Sequence, residues 1–292
     1  MFGPNTSKKI SLDINFHHRE KYFYDVINNI KQTIRSLFSI SDDFEILIIN
    51  GSGTFTMEVV ISSINKLLKP IGVDGKFKKR WKDMAIGYNK FSDKGESIVV
   101  QYETSISTYN SISDENNFIV DGVCAFPFYS IPNNCSIYVT VSSKLLGSAP
   151  VLGLVFIKKT ILKSFDEKNR FSTLNISNWL EYSSFNQTPY TPSIPLYFDL
   201  LETLNNFELN KLKNKIIQNS NHLVDILNPE NIIGDLVGPA LTIKDNIIPQ
   251  SLIEKYKLYG SEVLGQKKIQ IFTYSESEEL YNSFFSDLKK SL

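Results

Sequence analysis

The sequence predicts an α/β protein with a mostly parallel central sheet and helices on both faces. Amphipathic patterns of helical period cover residues 19–37 and about 54–68. Between and after them come four apolar runs of strand length, each ending abruptly at a small or ionisable residue. The runs span residues 45–49, 97–102, 117–120 and 136–142. Alternating strand and helix patterns are typical of a sheet whose strands run parallel.

The last third of the chain predicts a smaller α+β domain. One long helix is predicted over 194–219, because the prolines of the Thr188–Pro192 segment fix its approach. A helix near 250–259, a strand near 268–273 and a terminal helix near 275–290 follow. We therefore predict a large domain at 1–220, including the N-terminal segment 1–20 and the helix 194–219, and a small domain at 221–292.

The composition argues against several classes of protein. Lys+Arg and Asp+Glu number 31 each, so no net charge favours a nucleic acid or an anionic membrane as a partner. The longest apolar stretch, around 149–157, is too short to span a bilayer, and the beginning lacks a signal-peptide core, which together predict a cytoplasmic protein. Two cysteines without CxxC spacing and three histidines without ligand spacing predict no disulfide framework and no metal site.

The ends of the four apolar runs predict one shared site. Carboxyl ends of parallel strands converge on a single crevice in an open α/β sheet. Four kinds of group would meet there: a glycine-rich anion loop, a hydroxyl, a carboxylate and an amine. They belong to Gly51-Ser52-Gly53-Thr54, Glu103-Thr104-Ser105, Asp121 and Ser143-Lys144. These are the groups that pyridoxal phosphate requires of a protein.

Each of these residues also has an ordinary structural explanation. The glycine loop could hold a phosphate at a helix N-terminus, or it could be simple turn chemistry. Asp121 could keep a pyridinium nitrogen protonated, or it could cap the next turn. Lys144 could form a Schiff base and transfer a proton, or it could be a surface lysine at a strand end. The residues alone leave these alternatives open.

The motifs resemble, in order and approximate spacing, those of class V aminotransferases of pyridoxal-phosphate fold type I. The similarity is to the branch of 2-aminoethylphosphonate–pyruvate, alanine–glyoxylate and serine–glyoxylate aminotransferases. The matching segments are Gly3-Pro4, His18-Arg19, Gly51-Ser52-Gly53-Thr54 with Met57-Glu58, Gly75 to Arg80, Glu103-Thr104-Ser105, Val120-Asp121, Ser142-Ser143-Lys144 and Thr188-Pro189-Tyr190-Thr191. The resemblance implies an enzyme that transfers an amino group between an amine or amino acid donor and a keto or aldehyde acceptor.

The resemblance also implies a role for individual residues. Lys144 would be the Schiff-base and proton-transfer residue, Asp121 the partner of the pyridinium nitrogen, and Phe77 the aromatic that packs on the ring. Thr188 and Thr191 would reach the cofactor phosphate of the neighbouring subunit, which implies a homodimer with shared active sites. The other cofactor-binding residues implied by the resemblance are Ser52, Gly53, Thr54, Thr104, Val123 and Ser143.

One departure from the family pattern concerns the substrate. The alignment puts Gln270 where the family has an arginine that grips a substrate carboxylate. A neutral amide cannot form that bidentate pair, a loss of about 1.5–3 kcal/mol. We therefore predict a non-standard substrate, with Gln270 as the candidate substrate-binding residue.

Three alternatives to an aminotransferase stay open. One is a lyase or desulfurase of the same fold, although a desulfurase needs a mobile cysteine and neither Cys124 nor Cys135 is well placed for that role. Another is a degenerate, non-catalytic family member acting as a binding protein. The last is a protein that binds some other phosphate ligand.

Overall fold

The computed structural model describes residues 2, 17–112, 117–165, 171–260 and 268–292. Its α-helices are α1 Lys21–Phe38, α2 Gly53–Ser63, α3 Lys76–Gly87, α4 Ile176–Ser183, α5 Ile194–Asn205, α6 Leu209–Leu227, α7 Gln250–Tyr256 and α8 Glu278–Ser291. Its strands are β1 Phe44–Asn50, β2 Leu68–Ile71, β3 Glu96–Val100, β4 Tyr102–Glu103, β5 Thr108–Tyr109, β6 Asn117–Asp121, β7 Cys135–Val141, β8 Leu152–Lys158, β9 Ile232–Ile233, β10 Ala240–Ile243 and β11 Ile269–Phe272. Within that described part, no helix combines the length and the apolar character needed to cross a membrane.

Six strands form the central sheet, in the order β1-β8-β7-β6-β3-β2. The neighbours β2, β3, β6 and β7 run parallel, whereas β8 is antiparallel to both β7 and β1. The prediction of a mostly parallel sheet is therefore confirmed. The carboxyl ends of β1, β3, β6 and β7 lie along one edge of the sheet, together with the amino end of β8.

Helices cover both faces of this sheet, as predicted. Alternate residues of a strand point to opposite faces, so Leu47 and Ile49 of β1 face the core beneath α2, α3 and α4. Ile46 and Ile48 face the second core, beneath α1 and α5. Burial on both faces explains why the strands appear in the sequence as continuous apolar runs rather than alternating ones.

The predicted small α+β domain is also present. The antiparallel sheet β11-β10-β9 packs with α6, α7 and α8 around its own apolar core. Phe2 is fully buried in that core, with its ring within 5.7 Å of the rings of Tyr256, Tyr281 and Phe284. Phe2 therefore packs with the small domain, although segment 1–20 was assigned to the large one. Gly3-Pro4 lies outside the described residues.

The single helix predicted over 194–219 is wrong, because α5 ends at Asn205 and α6 begins at Leu209. The Asn206 side chain donates a hydrogen bond to the Glu202 carbonyl at the end of α5. Phe207 then packs against the large-domain core, whereas Leu223 of α6 lies in the small-domain core. Because the two apolar stretches serve different cores, the chain bends between them. The predicted domain boundary at residue 220 consequently falls inside α6.

The helix predicted over 54–68 is too long. It ends at Ser63, and Leu68–Ile71 form the edge strand β2, which pairs in parallel with β3. Pro70 is tolerated there because an edge strand has one side without ladder partners. Leu67, an apolar residue of the predicted helix, has 52% of its surface exposed. Apolar periodicity across a helix–strand junction cannot show where one element ends.

Candidate cofactor site

A cavity of about 240 Å³ lies at the edge of the sheet where β1, β6 and β7 end and β8 begins. Eight of the predicted site residues line it, namely Ser52, Gly53, Thr54, Phe77, Asp121, Val123, Ser143 and Lys144. Met57, Arg80, Cys124, Val141, Pro150 and Val151 complete the wall. Three of the four predicted groups, those that follow β1, β6 and β7, therefore meet at this cavity, whereas no residue of Glu103-Thr104-Ser105 lines it. The role of each residue stays a prediction.

One end of the cavity is formed by the N-terminus of α2. Ser52 is the N-cap residue, and its hydroxyl accepts a hydrogen bond from the Phe55 N–H at 3.2 Å. The N–H groups of Gly53 and Thr54 have no acceptor within the helix, because the first turn lacks preceding carbonyls. A Cβ atom at Gly53 would lie 3.2 Å from Cγ1 of Val141, so glycine leaves space at the wall. These features suit an anion.

Arg80 supplies a cation at the same end of the cavity. Its guanidinium donates to the Thr54 hydroxyl at 3.1 Å and lies 5.4 Å from the centre of the Phe77 ring. Phe77 and Arg80 are three residues apart on α3, so they share one face of the helix. Arg80 was not predicted as a binding residue, although its spacing from Phe77 and its positive charge could have indicated it.

The Glu103 carboxylate fixes the start of α3. It accepts hydrogen bonds from the backbone N–H groups of Phe77 and Lys78, the latter at 3.1 Å, and from the Ser105 hydroxyl. Glu103 is fully buried. A buried carboxylate that caps a helix N-terminus is stabilised by the unpaired N–H groups there. Glu103 therefore sets the position of the Phe77 ring at the cavity.

Asp121 is a buried acid at the end of β6. Its Oδ2 accepts from the Trp81 indole N–H at 2.7 Å, and its Oδ1 accepts from the Val123 N–H at 3.0 Å. Burial raises the pKa of Asp121 to about 6, even though these two hydrogen bonds act to lower it. A cationic group in the cavity would stabilise the ionised carboxylate. Trp81 was not predicted, since no local pattern links it to Asp121.

Lys144 follows β7 at the start of a short 3-10 turn, Lys144–Leu146. Its φ is +58°, and Val151, at the other end of the same connection, has a φ of +81°. Left-handed backbone costs an ordinary L-residue roughly 1–2 kcal/mol, and it is least expected for a β-branched residue. The turn thus brings Lys144 to the wall that also contains Asp121, in a strained conformation.

Cys124 also lines this cavity. Burial raises the pKa of its thiol to about 11, although the nearby Lys144 opposes the shift. The thiol is therefore protonated at neutral pH. A nucleophilic acceptor cysteine requires a thiolate, so this environment does not favour a desulfurase.

No protein-family model matches the chain. It is 26% identical, over an alignment of 242 residues, to an uncharacterised aminotransferase of Methanocaldococcus jannaschii, and the match covers 68% of this chain and 62% of that protein. It is also 25% identical, over 114 residues, to a phosphoserine aminotransferase of Rhodopirellula baltica, and that match covers 38% of this chain and 29% of that protein. The chain therefore matches less than two thirds of the length of these relatives.

Solved structures match almost the whole chain. A phosphoserine aminotransferase of Cytophaga hutchinsonii gives a TM-score of 0.79 at 17% identity, covering 95% of this chain and 91% of that one. An alanine–glyoxylate aminotransferase of Nostoc sp. gives a TM-score of 0.74 at 17% identity, covering 95% and 89%. The chain has pyridoxal-phosphate fold type I. Its sequence and structure resemble class V aminotransferases.

The cavity of this fold-type-I chain fits pyridoxal phosphate by its donor set. The N-terminus of α2 with Thr54 and Arg80 suits a phosphate, and Asp121 suits a protonated ring nitrogen. Lys144 offers a primary amine to an aldehyde. The raised pKa of Asp121 indicates a carboxylate that lacks a sufficient cationic partner in the protein alone. All of these groups line one cavity, so a single small molecule can contact them.

Four predicted residues do not line the cavity. The hydroxyl of Thr188, itself buried, donates to the Tyr190 carbonyl at 2.8 Å, whereas Thr191 is exposed. Thr104 is buried, and its carbonyl accepts a hydrogen bond from the Gln270 side-chain amide. Gln270 is 4% exposed and thereby ties β11 to the residues that follow β4. The predicted cofactor and substrate roles of these four residues stay predictions.

Proposed function

We propose that the chain is a pyridoxal-phosphate-dependent aminotransferase, which passes an amino group between an amine or amino acid donor and a keto or aldehyde acceptor. The observation that carries the proposal is that Lys144 and Asp121 line the same cavity as the N-terminus of α2. Resemblance to named aminotransferases in sequence and fold supports it.

The chain's residues would divide the work between binding and proton transfer. The cofactor supplies an aldehyde that captures amines and a ring that withdraws electrons from the neighbouring carbon. Gly53, Thr54 and Arg80 would bind the phosphate and fix the position of the ring. Lys144 would hold the cofactor until a substrate amine displaces it, and its amine would then move a proton at the substrate carbon.

Asp121 would keep the proton on the ring nitrogen, because an ionised carboxylate stabilises a cation beside it. Trp81 and Val123 orient that carboxylate, since each donates to a different one of its oxygens. Phe77 of α3 would pack against the ring and help to exclude water from this end of the cavity.

We also propose that the donor or acceptor is a non-standard substrate. The Gln270 amide donates to the Thr104 carbonyl inside the protein, so this side chain is already engaged away from the cavity wall. A substrate carboxylate would have to be held by another group, or the substrate would carry none at this position.

A homodimer with shared active sites belongs to the same proposal. Tyr190, in the segment between Thr188 and Thr191, donates its hydroxyl proton to the Asn50 carbonyl at 3.0 Å, just before the glycine-rich turn. Thr191 is exposed beside it and accessible to a second subunit. Light scattering should give the mass of two chains in solution, and a monomer at working concentration would contradict this part.

The main test is the Lys144→Ala variant. Wild-type protein incubated with pyridoxal phosphate and then borohydride should gain one phosphopyridoxyl group on Lys144, because the amine and aldehyde condense with loss of water and borohydride reduces the new bond. Lys144→Ala should gain none, and amine transfer from a panel of donors should fall by at least about 10³-fold. Lys159→Ala, an exposed lysine after β8, is the matched control. Attachment elsewhere, or full activity without Lys144, would overturn the assignment.

A further inference from the structure

The connection between β7 and β8 is unusually strained for a segment that carries a reactive residue. Three of its residues have positive φ angles: Lys144 at +58°, Gly147 at +76° and Val151 at +81°. Only glycine adopts such angles without steric cost. Strained conformations persist where the surrounding structure leaves the chain no alternative. The contacts around this connection therefore decide where the Lys144 amine lies.

Part of the restraint is local. The Ser148 N–H donates to the Ser142 carbonyl at 3.1 Å, and the Ser142 hydroxyl donates to the Ala149 carbonyl at 2.7 Å. Leu145 and Leu146 are buried in two different apolar cores. These contacts close the turn and anchor its middle, but the two hydrogen bonds join only residues within the connection.

The Gly51 N–H restrains the far end of the connection, because it donates to the Val151 carbonyl at 3.0 Å. The middle of the connection is restrained from outside by Asp199 on α5. Its Oδ2 accepts hydrogen bonds from the Ser148 hydroxyl and from the Ala149 N–H, both at 2.7 Å. The Asp199 side chain is 6% exposed, and α5 packs against α1 on one face of the sheet. Hydrogen bonds to a buried carboxylate are short and strong. Asp199 therefore ties the turn to a fixed helix.

We propose that Asp199 is a positioning residue that holds the Lys144 turn in its strained form and so keeps the Lys144 amine at the cofactor cavity. The inference rests on the proposed function for its chemical consequence. Without the carboxylate, the turn can relax toward negative φ at Lys144, and such relaxation rotates the lysine side chain away from Asp121. Asp199 itself does not line the cavity.

The experiment compares Asp199→Asn and Ser148→Ala with wild-type protein. The asparagine keeps the shape but removes the charge, whereas Ser148→Ala removes one of the two donors and leaves the carboxylate. Glu202→Gln is the matched control, because Glu202 lies three residues further along α5 and is exposed. If Asp199→Asn does not fold, Ser148→Ala still tests the contact.

The first readout is backbone hydrogen exchange of residues 143–150 in protein freed of cofactor. Both variants should exchange there at least about tenfold faster than wild type, while Glu202→Gln should match wild type. Unchanged exchange in both variants would overturn the proposal. Because no cofactor is present, this result is independent of the proposed enzymatic function.

The second readout is the rate at which pyridoxal phosphate becomes borohydride-fixed on Lys144, measured by mass spectrometry below the melting temperature of each variant. We expect a slowing of about ten- to a hundredfold, as for a misplaced reacting group. A variant with a lowered melting temperature but a wild-type attachment rate would show that Asp199 only stabilises the fold. If wild-type protein acquires no cofactor, the proposed function fails, and the exchange data still decide whether Asp199 holds the turn.

Discussion

The two ends of the cavity are built in different ways. At the anion end, Ser52, Gly53 and Thr54 are consecutive, and Ser52 caps α2 with its own hydroxyl. At the other end, Asp121 and Lys144 follow different strands and depend on distant residues. Trp81 is 40 residues from the acid that it contacts, and Asp199 is 51 residues from Ser148.

The difference shows which end of the cavity lowers the stability of the folded protein. Apart from Arg80, the anion end follows from ordinary helix geometry, and none of Ser52, Gly53 and Thr54 has a positive φ. The acid–amine end contains a buried carboxylate and two strained residues, each of which lowers the stability of the folded state. Contacts from other elements offset that cost, and a bound cofactor would offset more of it by pairing with the acid.

The largest effect that would sharpen this comparison is expected for Asp121→Asn in cofactor-free protein. The folded pKa of Asp121 is raised to about 6 by burial, so folding becomes less favourable as pH rises from the unfolded pKa through that value. Above pH 6 the full penalty applies, about 3 kcal/mol for a shift of this size. The uncharged variant avoids this penalty. Its amide NH2 would face one of the two N–H donors, from Trp81 or Val123, a cost that does not depend on pH, so the change with pH is the quantity that tests the prediction.

The measurement is the free energy of unfolding in denaturant at pH 4 and at pH 8. The advantage of Asp121→Asn over wild type should increase by up to about 3 kcal/mol between these values, and the pH 4 comparison serves as the control because the native acid is then protonated. A difference that does not change with pH would show that the buried acid is already fully compensated by the protein.

A smaller effect is expected for Val151→Gly. Glycine relieves the strain at a φ of +81°, a gain reduced by its greater freedom in the unfolded chain. Half of the Val151 surface is exposed, so little apolar burial is lost. The melting temperature should rise, for a net gain of about 1 kcal/mol.

Ser52→Gly is the control for that prediction at the other end of the cavity. The Ser52 backbone is extended and has no positive φ, so glycine relieves no strain there. The substitution should lower the free energy of unfolding by only a few tenths of a kcal/mol, as for other N-cap serines. If both glycine substitutions changed stability alike, the proposed contrast between a relaxed and a strained turn would be lost.

Sequence patterns predicted correctly those parts of the molecule whose structure depends on residues close together in the chain. Continuous apolar runs located β1, β3, β6 and β7, because strands buried on both faces need apolar residues at every position. The residues that end these runs include Asp121 and Lys144, which line the cavity. The missed bend at Asn206–Glu208 and the overlong helix α2 both lie where one apolar pattern passes from one packing partner to another.

By itself, the sequence determined which chemical groups are present, which strand ends deliver them and that these ends share one edge of a sheet. Only the tertiary structure decided how the acid and the amine are held. Trp81, Asp199 and the Gln270–Thr104 contact join elements far apart in the chain. The reason is physical: hydrophobic periodicity reports the face that a residue buries, whereas a hydrogen bond between distant side chains depends on how whole elements pack.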